Sequence, residues 1–221
     1  MTFTSTPSFP GRPFTSSSHS TCEAVRASTT MTWMGPRMST DKQALLSDEQ
    51  REAALQALVG SNPTAIIQAA NLLSGDSTTT PRLLELLEVE SRPASRQGIL
   101  FALSWHGDVS LWGLMLRILA DVQEAPVVRG QAAEGVAYLF YKVQPETEEF
   151  ELAARTLLKA LEDPSLEVRY GVIFALGASR HLSFLPVLEA LIEDPTPVPG
   201  WNDTIGRKAA DAIESLTWGR E

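Results

Sequence analysis

The chain has 221 residues, of which 43% are hydrophobic, and this apolar content is ample for one or two domains of ordinary size. Its formal net charge is −9, its pI is about 4.9, and Lys42, Lys142, Lys159 and Lys208 are its only lysines, which argues against a nucleic-acid duplex as principal ligand because phosphate contacts need clustered bases. The lone Cys22 excludes an internal disulfide framework and a structural zinc site; no run of about 18 apolar residues exists to span a membrane, and a cytoplasmic location is expected.

Residues 1–40 form a separate compositional segment. They hold 17 Ser or Thr, three arginines (Arg12, Arg26, Arg37) and one acid, Glu23, with no hydrophobic period, so the segment cannot offset its ordering entropy. The composition is also that of an organelle transit peptide, but Pro7, Pro10 and Pro13 fall where its amphipathic helix would form. A disordered leader, or a start at Met31, Met34 or Met38, is favoured over a targeting signal.

Residues 41–221 are expected to be one domain, helix after helix. Apolar spacing of three and four, as in Leu83, Leu84, Leu86 and Leu87, predicts helices over 48–59, 63–74, 81–90, 94–105, 109–122, 127–142, 149–162, 166–178, 183–193 and 204–217. Helix punctuation separates them: Gly60-Ser61-Asn62-Pro63, Ser91-Arg92-Pro93, Ala125-Pro126, Asp163-Pro164 and the long Asp194–Gly200 stretch with three prolines. No stretch shows sustained β-alternation, although short buried strands stay open on periodicity alone. The fold class is all-α.

An arginine-headed phrase recurs through these helices: REAALQAL from Arg51, RQGILFAL from Arg96, RGQAAEGVAYL from Arg129, RYGVIFALG from Arg169 and RKAADAI from Arg207. The steps between arginines are 45, 33, 40 and 38 residues, a spacing that signals stacked helical repeats, each too small to bury its own apolar face. Three and six residues after each arginine stand Ala54/Ala57, Ile99/Ala102, Ala132/Gly135, Val172/Ala175 and Ala210/Ile213, mostly small residues that let neighbouring helices approach. The arginines are read as architectural, reaching turn carbonyls or an acid of the next unit such as Asp163.

From Thr156, the stretch TLLKALEDPSLEVRYGVIFALGASRHLSFLPVLEALIED resembles the bacterial HEAT-like repeat of the kind seen in phycobilisome lyases. The resemblance rests on a Leu-rich first helix, the Asp163-Pro164 turn, Val168-Arg169, and Ala175-Leu176-Gly177. It covers about residues 80–217 and, more loosely, 48–75. The Asp-Pro turn is absent before Arg96 and Arg129, and the last unit has an enlarged turn through Trp201 and Asn202. The resemblance implies an α-solenoid, a right-handed superhelix of antiparallel helix pairs.

Catalytic signatures are missing from the sequence. His19, His106 and His181 are scattered, with neither HExxH nor a repeated His-Glu pair, so no metal site is expected. There is no Gly-x-Ser-x-Gly elbow, phosphate loop or dinucleotide fingerprint, and no cofactor is expected. Acid pairs such as Glu85/Glu88 and Glu148/Glu149 read as solvated helix faces.

One constellation stands out as a candidate binding surface. Five and nine residues after the arginines lie Phe101 and Trp105, then Glu134 and Tyr138, then Phe174 and Ala178, with Tyr170 one residue after its own arginine. These offsets lie outside the small-residue stripe and place aromatic anchors with an acid on successive helices, the kind of surface that holds a protein or peptide. Burial of Phe101 and Phe174 in the core is an equal alternative. The leading expectation is a non-catalytic adaptor or scaffold binding a basic or amphipathic protein partner, and neither nucleic acid nor membrane. The resemblance also admits a phycobilin-lyase-like subunit or chaperone acting on chromophore attachment and, less well, a DNA glycosylase, while a toxin-neutralising protein stands by analogy alone.

Overall fold

A computed structural model describes residues 46–200 and 202–219; the expected leader at 1–40 and Trp201 lie outside the described residues. Within them the chain forms ten α-helices: α1 (Asp48–Leu58), α2 (Pro63–Leu73), α3 (Thr80–Val89), α4 (Pro93–Trp105), α5 (Trp112–Ala120), α6 (Pro126–Leu139), α7 (Glu148–Ala160), α8 (Leu166–Ala178), α9 (Leu185–Glu189) and α10 (Ile205–Thr217). The fold is all-α. The helix starts follow from local chemistry. Ser47 accepts from the Gln50 amide while the Gln50 side chain returns to the Ser47 N–H, a reciprocal cap on α1. Asn62, Thr147, Ser165 and Thr204 cap α2, α7, α8 and α10 with side-chain oxygens. Pro63, Pro81, Pro93, Pro126 and Pro186 occupy first turns, where a missing N–H is harmless.

Observed and expected helices agree one for one. The ninth is shorter than the expected 183–193: a 3₁₀ turn at Leu182–Phe184 leads into only five helical residues, after which the chain turns through Ala190–Asp194. Among the described residues there is no strand, only an antiparallel bridge between Pro197 and Thr204 that closes the loop before α10.

The even-numbered helices form a row, with α2 packed on α4, α4 on α6, α6 on α8 and α8 on α10. Each odd-numbered helix packs against the even one that follows it, and α5 also touches α7. Between the layers lie fully buried Leu58, Leu73, Leu83, Ile99, Leu100, Leu103, Leu119, Leu139, Leu157, Ile173 and Leu176. Burying each such side chain contributes about 1.5–3 kcal/mol, so together they are a large cohesive term.

The stripe of small residues after the arginines is buried in α4, α6 and α8: Ile99, Ala102, Ala132, Val172 and Ala175 have no exposed surface. In α10 the register differs, because Ala210 is exposed and Ile213 half-buried while Ala209, Ala212 and Leu216 are buried. No described helix packs on the far side of α10, so only the face toward α8 and α9 needs to be apolar. Contact between α8 and α10 is close enough that a Cβ built on Gly177 would stand 2.7 Å from Ala212 Cα.

Three of the five arginines, Arg51, Arg96 and Arg129, reach an acid in a turn further along the chain. Arg96 of α4 bonds Glu124, before α6, at 2.5 Å, and donates to the carbonyls of Leu87 and Glu90. Arg129 of α6 pairs with Asp163, before α8, at 2.6 Å, both side chains nearly inaccessible, and donates to the Leu119 carbonyl. Arg51 lies on α1 rather than on an even helix and reaches the buried Asp76 at 3.1 Å. Burial pushes the Asp76 carboxyl up, but bonds from Thr78 and Arg51 together bring it below its ordinary value. Arg169 of α8 makes no ion pair and its Nε no hydrogen bond among the described residues, although its charge adds to the Thr196 hydrogen bonds that hold the Asp194 carboxyl below its ordinary value. Arg207 is 69% exposed and only 3.9 Å from Asp203.

Candidate functional site

Three of the even helices bring their aromatic residues into one chain of ring contacts. On α4, Phe101 and Trp105 lie one turn apart with centroids separated by 6.3 Å. Trp105 meets Tyr138 of α6 at 4.8 Å, the planes tilted by 34°. Tyr138 meets Phe174 of α8 edge-on at 5.7 Å. Each link is within the range where offset or edge-to-face rings attract beyond simple burial. Four residues chosen by their offset from the arginines therefore do form a continuous row. Trp105 is its most open member at 44% exposed, and Phe101, Tyr138 and Phe174 are half-buried. Phe101 and Phe174 are also packed against the core, so their rings contribute to the core as well as to the row.

Glu134 stands one helical turn before Tyr138 on α6. Burial raises the pKa of its carboxyl, against the opposing pull of the Lys208 charge and a long 3.5 Å bond from the Gln131 amide. Glu134 and burial act together on the Tyr138 phenol, which is pushed up to about 12, chiefly by burial. Tyr170 does not face the surface as expected: it is only 6% exposed, because its position next to Arg169 directs it toward α10 and the loop before it. Its hydroxyl donates to the Asp203 carboxylate at 3.3 Å, and burial raises its pKa first, with Asp203 adding to the effect.

Tyr170 enters the site through a residue that sequence reasoning did not select. Lys208, on the first turn of α10, holds its Nζ 4.4 Å from the Tyr170 centroid and 4.7 Å from that of Phe174. Both distances fall within the cation–π range. Burial lowers the pKa of the ammonium, while Glu134, Asp211 and Asp203 pull it back up. A signal for Lys208 was present, since it follows Arg207 by one residue just as Tyr170 follows Arg169. The row therefore runs Phe101, Trp105, Tyr138, Phe174, Lys208, with Glu134 beside its middle.

A second recess lies between α7 and the turn into α9, about 390 Å³ in volume and lined by Phe150, Ala154, Leu158, His181, Phe184 and Val187. His181 Nδ1 is 2.5 Å from Ser183 Oγ and its ring lies 5.0 Å from that of Phe150. His106 caps the end of α4, its Nε2 3.0 Å from the Leu73 carbonyl and its Nδ1 2.8 Å from Thr80 Oγ1, so it ties helix ends together. Among the described residues no three His, Cys, Asp or Glu side chains are grouped to hold a metal, and no helix is long and apolar enough to cross a membrane. No protein-family model matches this chain, and no curated protein matches it.

Proposed function

We propose that the chain is a non-catalytic adaptor or regulator, an α-solenoid of HEAT-like antiparallel helix pairs in a right-handed superhelix, that holds a basic or amphipathic protein segment along its aromatic row. On this reading the even-numbered helices line the concave face and the odd-numbered ones the convex face, as the resemblance implies. A cytoplasmic location fits the composition. The observation that carries the proposal is the unbroken ring contact from Phe101 to Phe174 across three helices, with Trp105 open to solvent. Aromatic anchors of this kind, ringed by polar groups, dominate the energetics of protein recognition. Glu134, Asp203 and Asp211 around the row, and a formal charge of −9 on the chain, favour a basic partner and repel phosphate.

The test is affinity capture from the native source with the wild-type chain and with Trp105→Ala plus Tyr138→Ala, each substitution also measured singly because the rings touch. Loss of the captured partner, with the helical circular dichroism unchanged, is the expected result. Undiminished capture by the folded double variant moves the site elsewhere, first to the 195–202 loop. Bilin transfer or base excision by the purified chain overturns the non-catalytic reading.

A further inference from the structure

We infer that the Trp105–Tyr138 end of the row is a seat for one arginine side chain of the partner, its guanidinium flat on Trp105 and its charge answered by Glu134. This inference deepens the binding-module reading and rests on it. The far end of the same row shows what such a seat looks like when filled. There the chain's own Lys208 places its ammonium 4.4 and 4.7 Å from two ring centroids, within the electrostatic reach of Glu134. The near end has the same ingredients without the cation: a tilted Trp–Tyr pair at 4.8 Å, a Trp105 side chain that is largely exposed, and the same acid one helical turn before Tyr138.

Three physical points favour a cation there over an apolar or acidic group. Indole has the strongest quadrupole of the natural rings, so its face attracts positive charge. A guanidinium is planar and weakly hydrated, which suits stacking on a ring better than an ammonium does. Glu134 is poorly satisfied within the chain: among the described residues its one hydrogen-bond donor is the Gln131 amide at 3.5 Å, and no Lys or Arg is within ion-pair distance. A half-buried acid so weakly paired gains a strong charge-assisted bond from an incoming guanidinium. Lys208 sets a limit on the seat, because a like charge further along the row disfavours a second cation.

The experiment uses the full chain and two labelled 12-residue peptides of alternating Gly and Ala with two central arginines, or with citrulline at the same two positions. Citrulline keeps the planar shape and removes the charge. Fluorescence anisotropy is expected to give about tenfold tighter binding for the arginine peptide, a difference worth about 1.4 kcal/mol. Glu134→Gln and Trp105→Leu should each erase most of that difference, the second while keeping the site apolar. Lys208→Met should tighten the arginine peptide several-fold by removing a like charge, whereas an anionic occupant would be weakened by the same change. Glu148→Gln, on the exposed start of α7, controls for the general acidity of the surface and should change nothing. Equal affinity for the two peptides, or loss of affinity in Lys208→Met, overturns the inference, as does preferential binding of a single-stranded RNA of matched length. If Trp105→Ala plus Tyr138→Ala abolishes capture of the native partner but Glu134→Gln and Trp105→Leu do not weaken it, the arginine seat fails and the binding module stands. If none of these variants affects capture, both fail together.

Discussion

The ammonium of Lys208 on α10 stands over two rings of α8, 4.4 Å from Tyr170 and 4.7 Å from Phe174, so the aromatic row ends in a cation of its own. Four aromatic residues, one acid and one base are thus held in sequence across α4, α6, α8 and α10. Apolar packing between the two layers of helices positions them, while close glycine and alanine contacts set the helix separations. The chemistry of the row follows from that spacing, and it can be tested piece by piece.

Glu134→Gln should stabilise the chain at neutral pH. Burial raises the folded carboxyl above its ordinary value of 4.5, even with the pull of Lys208 included, so the folded state binds the proton more tightly than the unfolded one. Ionisation of Glu134 therefore lowers stability as pH rises from 4.5 upward, and glutamine, which mimics the protonated form, escapes that loss. Thermal denaturation should show a higher Tm for the variant at pH 7 and no difference near pH 4. A lower Tm at pH 7 would mean that Glu134 is better satisfied than its burial indicates.

The packing stripe makes a sharper mechanical prediction. Ala175 has no exposed surface and sits in a helix seam, so Ala175→Glu forces an unpaired charge into a filled space, at a cost of about 4 kcal/mol or more. Ala178 is half-buried at the end of α8, and Ala178→Glu should cost about 1 kcal/mol. Urea titrations with equal midpoints for the two variants would sink the helical phase assigned to α8.

A pair of glycines separates backbone contact from backbone freedom. A Cβ on Gly177 meets Ala212 at 2.7 Å, so Gly177→Ala must push α8 and α10 apart and should lose about 1–3 kcal/mol. Gly113, in the first turn of α5, has open space around it, and Gly113→Ala should gain about 0.5–1 kcal/mol from reduced unfolded-state entropy. Chemical denaturation of the two variants should move in opposite directions.

The sequence carried the helices and the aromatic row because both depend on local spacing. Helix starts coincide with Ser47, Asn62, Pro93, Pro126 and Thr147, residues whose preference for those positions is intrinsic. Phe101, Trp105, Tyr138 and Phe174 share a periodicity counted from the arginines, which held through α8. It failed in α10, where neighbours rather than sequence decide which face is buried, so Ala210 is exposed and Lys208 escaped notice. Tyr170 was misjudged for a related reason: its ring is covered by contacts from α10 and Asp203, 33 residues and more away in the chain. Asp163 was legible as an acid that an arginine could reach because it opens the Asp163-Pro164 turn, whereas Glu124, ahead of Ala125-Pro126, and Asp76 carry no Asp-Pro signature, and its pairing with Arg129 emerges only in the fold.

The Arg129–Asp163 ion pair is a further test of how α6 is held to the turn before α8. Arg129 and Asp163 are both nearly inaccessible, so Arg129→Met leaves a buried carboxylate without its partner and should cost about 3–5 kcal/mol. Arg207, mostly exposed and 3.9 Å from Asp203, should give less than about 1 kcal/mol when changed to Met. Similar losses at both positions, read by guanidinium denaturation, would contradict a buried bracing role for Arg129.

The central claim, a cation-accepting aromatic row, is most directly tested by titrating the two-arginine peptide into nitrogen-15-labelled protein and following the tryptophan indole resonances. The row predicts a large, saturable shift of the Trp105 indole with little change at Trp112, which is buried against Phe140 away from the row. It also predicts that the citrulline peptide leaves Trp105 almost unmoved. An unshifted Trp105 with changes confined to His181 and Phe150, or equal shifts with both peptides, would contradict it.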